Sequence, residues 1–174
     1  AELESNESDI TIFLNSPGGD VFAASQIYTM LKEYPGLVTV KIDGIAASAA
    51  SVIAMAADEV LMSPVAMMMI HNPATVVFGE VADLENGIAL LSEVKESILN
   101  AYEVKTGLSR TRLSRMMDAE TWMSAQKAVE LGFADQVLYE WEAHAIEPPS
   151  AAFLFDKMTV TNALMKKLPL HEVK

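Results

Sequence analysis

Lys41-Ile42-Asp43-Gly44-Ile45-Ala46-Ala47-Ser48-Ala49-Ala50-Ser51 sets the architecture of this chain: an apolar strand turns at a glycine and delivers a serine into the first turn of an alanine-rich helix. A strand that feeds a helix directly is half of a β-α-β unit. The free N–H groups of a helix start would also lie beside the Ser48 hydroxyl, close enough to stabilise a developing oxyanion. Ser51, further along that helix, reads as a small packing residue.

On the N-terminal side, Ile10 to Leu14 reads as a buried strand that ends at Asn15-Ser16-Pro17-Gly18-Gly19-Asp20, where a glycine pair allows close backbone approach to a ligand. Val21, Ala24, Ile27, Tyr28 and Leu31 recur at helical spacing, which predicts a helix over Val21 to Lys32 that Pro35-Gly36 stops. A strand over Leu37 to Ile42 then leads into the Ser48 helix, from Ala47 to about Ala57. Short strands are expected at Glu59 to Met62 and Ala66 to Ile70, the second running into His71-Asn72-Pro73. This alternation predicts an α/β fold on a mostly parallel sheet with right-handed crossovers.

Beyond Pro73 a long amphipathic helix is expected over Glu80 to Lys105, closed by Thr106-Gly107, with Leu84, Ile88, Leu91, Val94, Ile98, Ala101 and Tyr102 as its apolar stripe. Ser109 caps a short helix to Met117, and Ser124 caps another over Ala125 to Leu131 that stops at Gly132. A last strand is expected over Gln136 to Tyr139. The domain is read as 1–140. Residues 141–174 read as a tail, with an amphipathic segment over Thr161 to Lys167.

The bulk composition bounds the function. A chain of 174 residues, 51% hydrophobic, fills one core, and 24 acidic against 12 basic residues argue against a nucleic-acid surface and against anionic lipid. There is no cysteine, so neither disulfides nor thiolate metal sites are available. No apolar run is long enough to span a bilayer, and the start of the chain has neither a basic nor an apolar leader region, which predicts a cytoplasmic address.

A serine hydroxyl is a weak nucleophile that must lose its proton during attack, so Ser48 needs a base. His71 is the candidate, because His144 and His171 fall in the tail while His71 follows a strand, where sites of α/β sheets are built. A third group must orient the imidazole, and Asp118 and Glu120 are both candidates that the residues alone do not separate. Each signal also has a plainer reading. Ser-Pro-Gly-Gly alone is an ordinary turn, Met67-Met68-Met69 is core, Trp122 is a packing anchor, and the long helix is a solvated face. The order Gly-Gly, Ser, His, carboxylate, each at the edge of a β-α unit, is what raises them together.

Asn15-Ser16-Pro17-Gly18-Gly19, Gly44-Ile45-Ala46-Ala47-Ser48, Met69-Ile70-His71-Asn72-Pro73 and Trp122 to Gly132 together resemble the ClpP family, the proteolytic subunits of Clp proteases. The resemblance covers Ile10 to Val137, and the Asp118 to Ala125 wording is similar to its phage and prophage branch, some of whose members mature capsids. It implies a ClpP/crotonase-like ββα spiral with a projecting handle helix at about 80–106. Ser48 is then the nucleophile and His71 the base, with Gly19 and Ala49 donating backbone N–H groups to the oxyanion and no metal or organic cofactor. The family's aspartate column holds Glu120 here, with Asp118 two residues earlier, so either carboxylate could complete the triad, or the triad is incomplete. Family members carry a further N-terminal segment, almost all of which is missing from this sequence. The resemblance also implies peptide or protein substrates, a homo-oligomer of stacked rings joined by the long helix, and an AAA+ unfoldase as a partner. Two rivals remain open: a catalytically silent ring-forming scaffold, and a crotonase-type acyl-CoA enzyme, for which no adenine-nucleotide site is evident.

Overall fold

A computed structural model describes residues 8–139. The tail with its expected segment over Thr161 to Lys167, and His144 and His171, lie outside the described residues. Strand β1 (Ile10–Ser16) leads to helix α1 (Val21–Lys32), and strand β2 (Val38–Ala47) leads to helix α2 (Ala49–Ala54). Strands β3 (Glu59–Met62) and β4 (Met67–Ile70) precede the long helix α3 (Val81–Thr106). Helix α4 (Arg110–Asp118), strand β5 (Thr121–Ser124), helix α5 (Ala125–Glu130) and strand β6 (Gln136–Val137) complete the order.

The long strand β2 organises the sheet. It pairs in parallel with β1 from Ile10↔Val38 onward, with β3 along its first half, Thr39↔Glu59 to Ile42↔Met62, and with β4 along its second, Ile45↔Met67 to Ala47↔Met69. The path through the sheet runs β5-β4-β2-β3-β6, with β1 on β2. Val38, Val40 and Ile42, which alternate along β2 and so share one face, are almost completely buried, and at its C-terminal end Ala46 and Ala47 are both buried, whereas Asp43 is exposed. The expected mostly parallel sheet is present, and β5 is its antiparallel member, pairing with β4.

Two expectations are corrected here. The turn at Gly44 is not a strand end: β2 continues through it to Ala47. The glycine serves close approach instead, because Asn15 Oδ1 accepts from the Ile45 N–H at 3.1 Å and a Cβ on Gly44 would stand 2.7 Å from that same oxygen. Consequently Ser48 lies outside the helix, at the N-cap of a six-residue α2. Trp122 is no packing anchor either. It is 49% exposed on β5, and its indole N–H donates to Glu120 Oε1 at 3.1 Å.

The helices begin and end where side chains supply caps. Asp20 Oδ1 accepts from the N–H groups of Phe22 and Ala23, fixing the start of α1. Glu80 and Asp83 form a capping box on α3, and Gly107, at φ 67°, closes it in the left-handed region that a glycine occupies without strain. The C-terminal half of α3 carries the core residues Val94, Ile98, Leu99 and Tyr102. Its N-terminal half leaves Val81, Leu84 and Ile88 exposed. Tyr102 packs edge-on against Phe133, with ring centroids 5.5 Å apart.

Candidate active site

Two turns meet at the site. The β1–α1 turn carries Gly18 and Gly19 at φ 102° and 153°, conformations open to glycine. The first has no room for a side chain: a Cβ on Gly18 would lie 2.7 Å from both the Ala47 carbonyl oxygen and Ser48 Cβ. Gly19, by contrast, faces open space. The glycine pair therefore lets one backbone lie directly against the β2–α2 turn that holds Ser48.

Ser48 occupies φ 55°, ψ −127°, a conformation that costs a non-glycine residue about 1–3 kcal/mol and persists only where its surroundings impose it. Its N–H donates to the Met69 carbonyl of β4 at 2.9 Å. Its carbonyl accepts from the Ser51 N–H at 3.0 Å and from the Ser51 hydroxyl at 2.6 Å. Ser51 Oγ also lies 2.8 Å from the Tyr102 hydroxyl, and burial raises the Tyr102 pKa above its ordinary 10.0.

Held this way, Ser48 Oγ lies 2.8 Å from Nε2 of His71, the residue that follows β4. That is hydrogen-bond distance for transfer of the serine proton to the imidazole. Both side chains line a cavity of about 380 Å³, together with Gly19 and Ala49 and with the apolar Leu90, Leu91, Val94 and Ile98 of α3. With α2 only six residues long, the donors that count beside Ser48 are individual backbone N–H groups, not a strong helix dipole.

Neither candidate carboxylate pairs with His71. Asp118 Oδ1 accepts from Lys95 Nζ at 2.6 Å and from Asn72 Nδ2 at 2.9 Å. The Lys95 ammonium, and after it the Asn72 amide, hold the Asp118 carboxyl below its ordinary pKa. Asp118 thus ties α3 to the residue beside His71. Glu120 sits at φ 47° in the turn before β5, bonded to the Trp122 indole. Sequence reasoning missed the parts played by Ser51, Tyr102 and Lys95. Ser51 could have been found from its spacing, since a serine three residues after an N-cap reaches back to the capping residue's carbonyl.

The model of the Clp protease family matches residues 1–140. The chain belongs to the Clp protease family. It is 33% identical over 144 residues to ATP-dependent Clp protease proteolytic subunit 1 of Chlamydia muridarum, covering 80% of this chain and 75% of that protein. It is also 32% identical over 137 residues to proteolytic subunit 2 of Thermobifida fusca, covering 78% of this chain and 68% of that one. Subunit 1 of Streptomyces avermitilis is 33% identical over 137 residues, with 78% and 63% covered. Membership makes this a serine-type peptidase of the ClpP kind, and its mixed sheet with the long helix α3 agrees with the expected fold. Among the described residues, no helix is long and apolar enough to cross a membrane.

Proposed function

We propose that the chain is a serine endopeptidase in which Ser48 attacks a peptide carbonyl, carried by the 2.8 Å contact between Ser48 Oγ and His71 Nε2 at the head of the cavity. His71 takes the serine proton as Oγ bonds to the carbonyl carbon. The oxygen becomes an oxyanion that accepts from the backbone N–H groups of Gly19 and Ala49. The tetrahedral centre then collapses, His71 gives its proton to the leaving amine, and a water activated by the same imidazole hydrolyses the acyl-enzyme.

Glu120 is the third member in this reading. The antiparallel ladder of β4 and β5 ends at Ile70↔Thr121, so one further step along the register sets His71 opposite Glu120. Asp118 is already engaged by Lys95 and Asn72. Rotation of the Glu120 side chain away from Trp122 toward His71 Nδ1 completes the triad. The exposed N-terminal half of α3 supports assembly into rings that meet through this helix and enclose the sites. An AAA+ unfoldase that feeds such a chamber is the partner this reading expects, in keeping with the ATP dependence named for the relatives. The phage-branch assignment rests on the Asp118 to Ala125 wording.

Intact-mass analysis after exposure to a fluorophosphonate tests the reading. One adduct is expected on the wild type and none on Ser48→Ala or His71→Ala. Glu120→Gln should slow labelling by about 10²–10⁴-fold, and Asp118→Asn by far less. An assembled wild-type protein that forms no adduct would instead be the silent scaffold.

A further inference from the structure

We infer that Ser51 and Tyr102 are positioning residues for the oxyanion site: their hydroxyls pin the Ser48 carbonyl and so aim the N–H of the Ser48–Ala49 peptide into the cavity. This rests on the reading of Ser48 as nucleophile and of the Ala49 N–H as an oxyanion donor.

Proton counting gives the hydrogen bonds a direction. A carbonyl can only accept, so the 2.6 Å contact between Ser51 Oγ and the Ser48 oxygen uses the one proton that Ser51 has. In the 2.8 Å contact between the two hydroxyls, Tyr102 must then be the donor. The result is a chain from the Tyr102 O–H to Ser51 Oγ, and from the Ser51 O–H to the Ser48 carbonyl. Both side chains are buried, Ser51 completely, and burial keeps Tyr102 in the protonated form that the chain requires.

The geometry of the peptide carries the effect to the site. In a planar trans peptide the C=O and N–H point in opposite directions, so holding the Ser48 oxygen toward the core turns the Ala49 N–H away from it. Ala49 lines the cavity with Ser48, Gly19 and His71. Successive hydrogen bonds also polarise one another, which makes the amide a stronger donor to a developing negative charge. The backbone bond from the Ser51 N–H is local to α2. The hydroxyl chain adds a tether from α3, and Ser48 at φ 55° is a residue that needs its conformation imposed.

The test is steady-state hydrolysis of a short fluorogenic peptide by full-length wild type, Ser51→Ala, Ser51→Thr, Tyr102→Phe and the Ser51→Ala/Tyr102→Phe double variant. Ser51→Ala should lower kcat by about 10–100-fold, less than outright loss of a donor, with KM within about 2-fold. Tyr102→Phe should lower kcat by about 3–10-fold, and the double variant should match Ser51→Ala within about 2-fold, because Tyr102 acts only through Ser51. Ser51→Thr, which keeps the hydroxyl, should recover most of the activity. Inhibition by a peptide boronate, which presents an oxygen to the oxyanion site, should weaken in step with kcat. A Ser51→Ala protein with wild-type kcat and only a lower Tm, or losses that multiply in the double variant, would overturn the inference. Should Ser51→Ala not fold, the isosteric Tyr102→Phe decides by itself, since unchanged kcat and boronate affinity there also overturn it. Ser48→Ala separates the two levels: retained hydrolysis sinks the reading of the site, whereas an inactive Ser48→Ala beside a fully active Ser51→Ala sinks this inference alone.

Discussion

Tyr102 couples the buried side of the active site to alkaline pH. Its folded-state pKa is raised above the ordinary 10.0, chiefly by burial. The unfolded chain therefore releases this proton at a pH where the folded chain keeps it, and the unfolded state binds fewer protons from about pH 10 upward. The stability contribution of this group is complete below that pH and declines as pH rises through the folded value. Urea unfolding midpoints measured from pH 8 to pH 11 should fall more steeply at the alkaline end for wild type than for Tyr102→Phe. Equal slopes would mean that the hydroxyl is not buried in solution. Asp118 has the opposite sign. Its lowered pKa, due first to Lys95, gives a contribution that is present above the unfolded value and lost in acid, and it is small because the carboxylate is exposed.

The meeting of the β1–α1 and β2–α2 turns is the most demanding junction between elements. Gly18→Ala must force a Cβ against the Ala47 carbonyl and Ser48 Cβ at φ 102°. The expected result is a loss of about 1–3 kcal/mol of stability and about 10²-fold in kcat/KM, with the circular dichroism spectrum unchanged. Near-wild-type hydrolysis would show that the two turns are not in contact in solution. Much of this arrangement was legible in the sequence. The spacing of Val21, Ala24, Tyr28 and Leu31 gave α1 its limits, and Gly107 closed α3 one residue beyond the expected end. Gly44 misled because a glycine inside a strand and a glycine that ends one look alike until the neighbouring strand, here Asn15, is known. Strand β5 escaped notice because four residues, Thr-Trp-Met-Ser, carry too little periodicity, and its partner β4 lies more than fifty residues earlier in the chain. Ser48 and His71 could be singled out from type and place. The route from Ser51 to Tyr102 could not, because it depends on how α3 crosses α2.

For the molecule as a whole, the exposed Val81, Leu84 and Ile88 of α3 and a net charge of −12 pull assembly in opposite directions. Apolar surface favours association, whereas like charge opposes it and is screened by salt. Ile88→Asp should leave the stability of the isolated subunit within about 0.5 kcal/mol of wild type, because the side chain is exposed there. Light scattering should nevertheless show a smaller particle, most clearly at low salt. An unchanged mass would remove this face from the proposed ring contact. The conformation of Ser48 has a last implication, for selection. Glycine normally weakens a fold relative to alanine, yet at φ 55°, ψ −127° the order should reverse, so that Ser48→Gly melts higher than Ser48→Ala although both have lost the hydroxyl. Under the proposed role of Ser48, the nucleophile would thus sit where the backbone itself favours glycine, so that chemistry and durability make opposite demands on this one position.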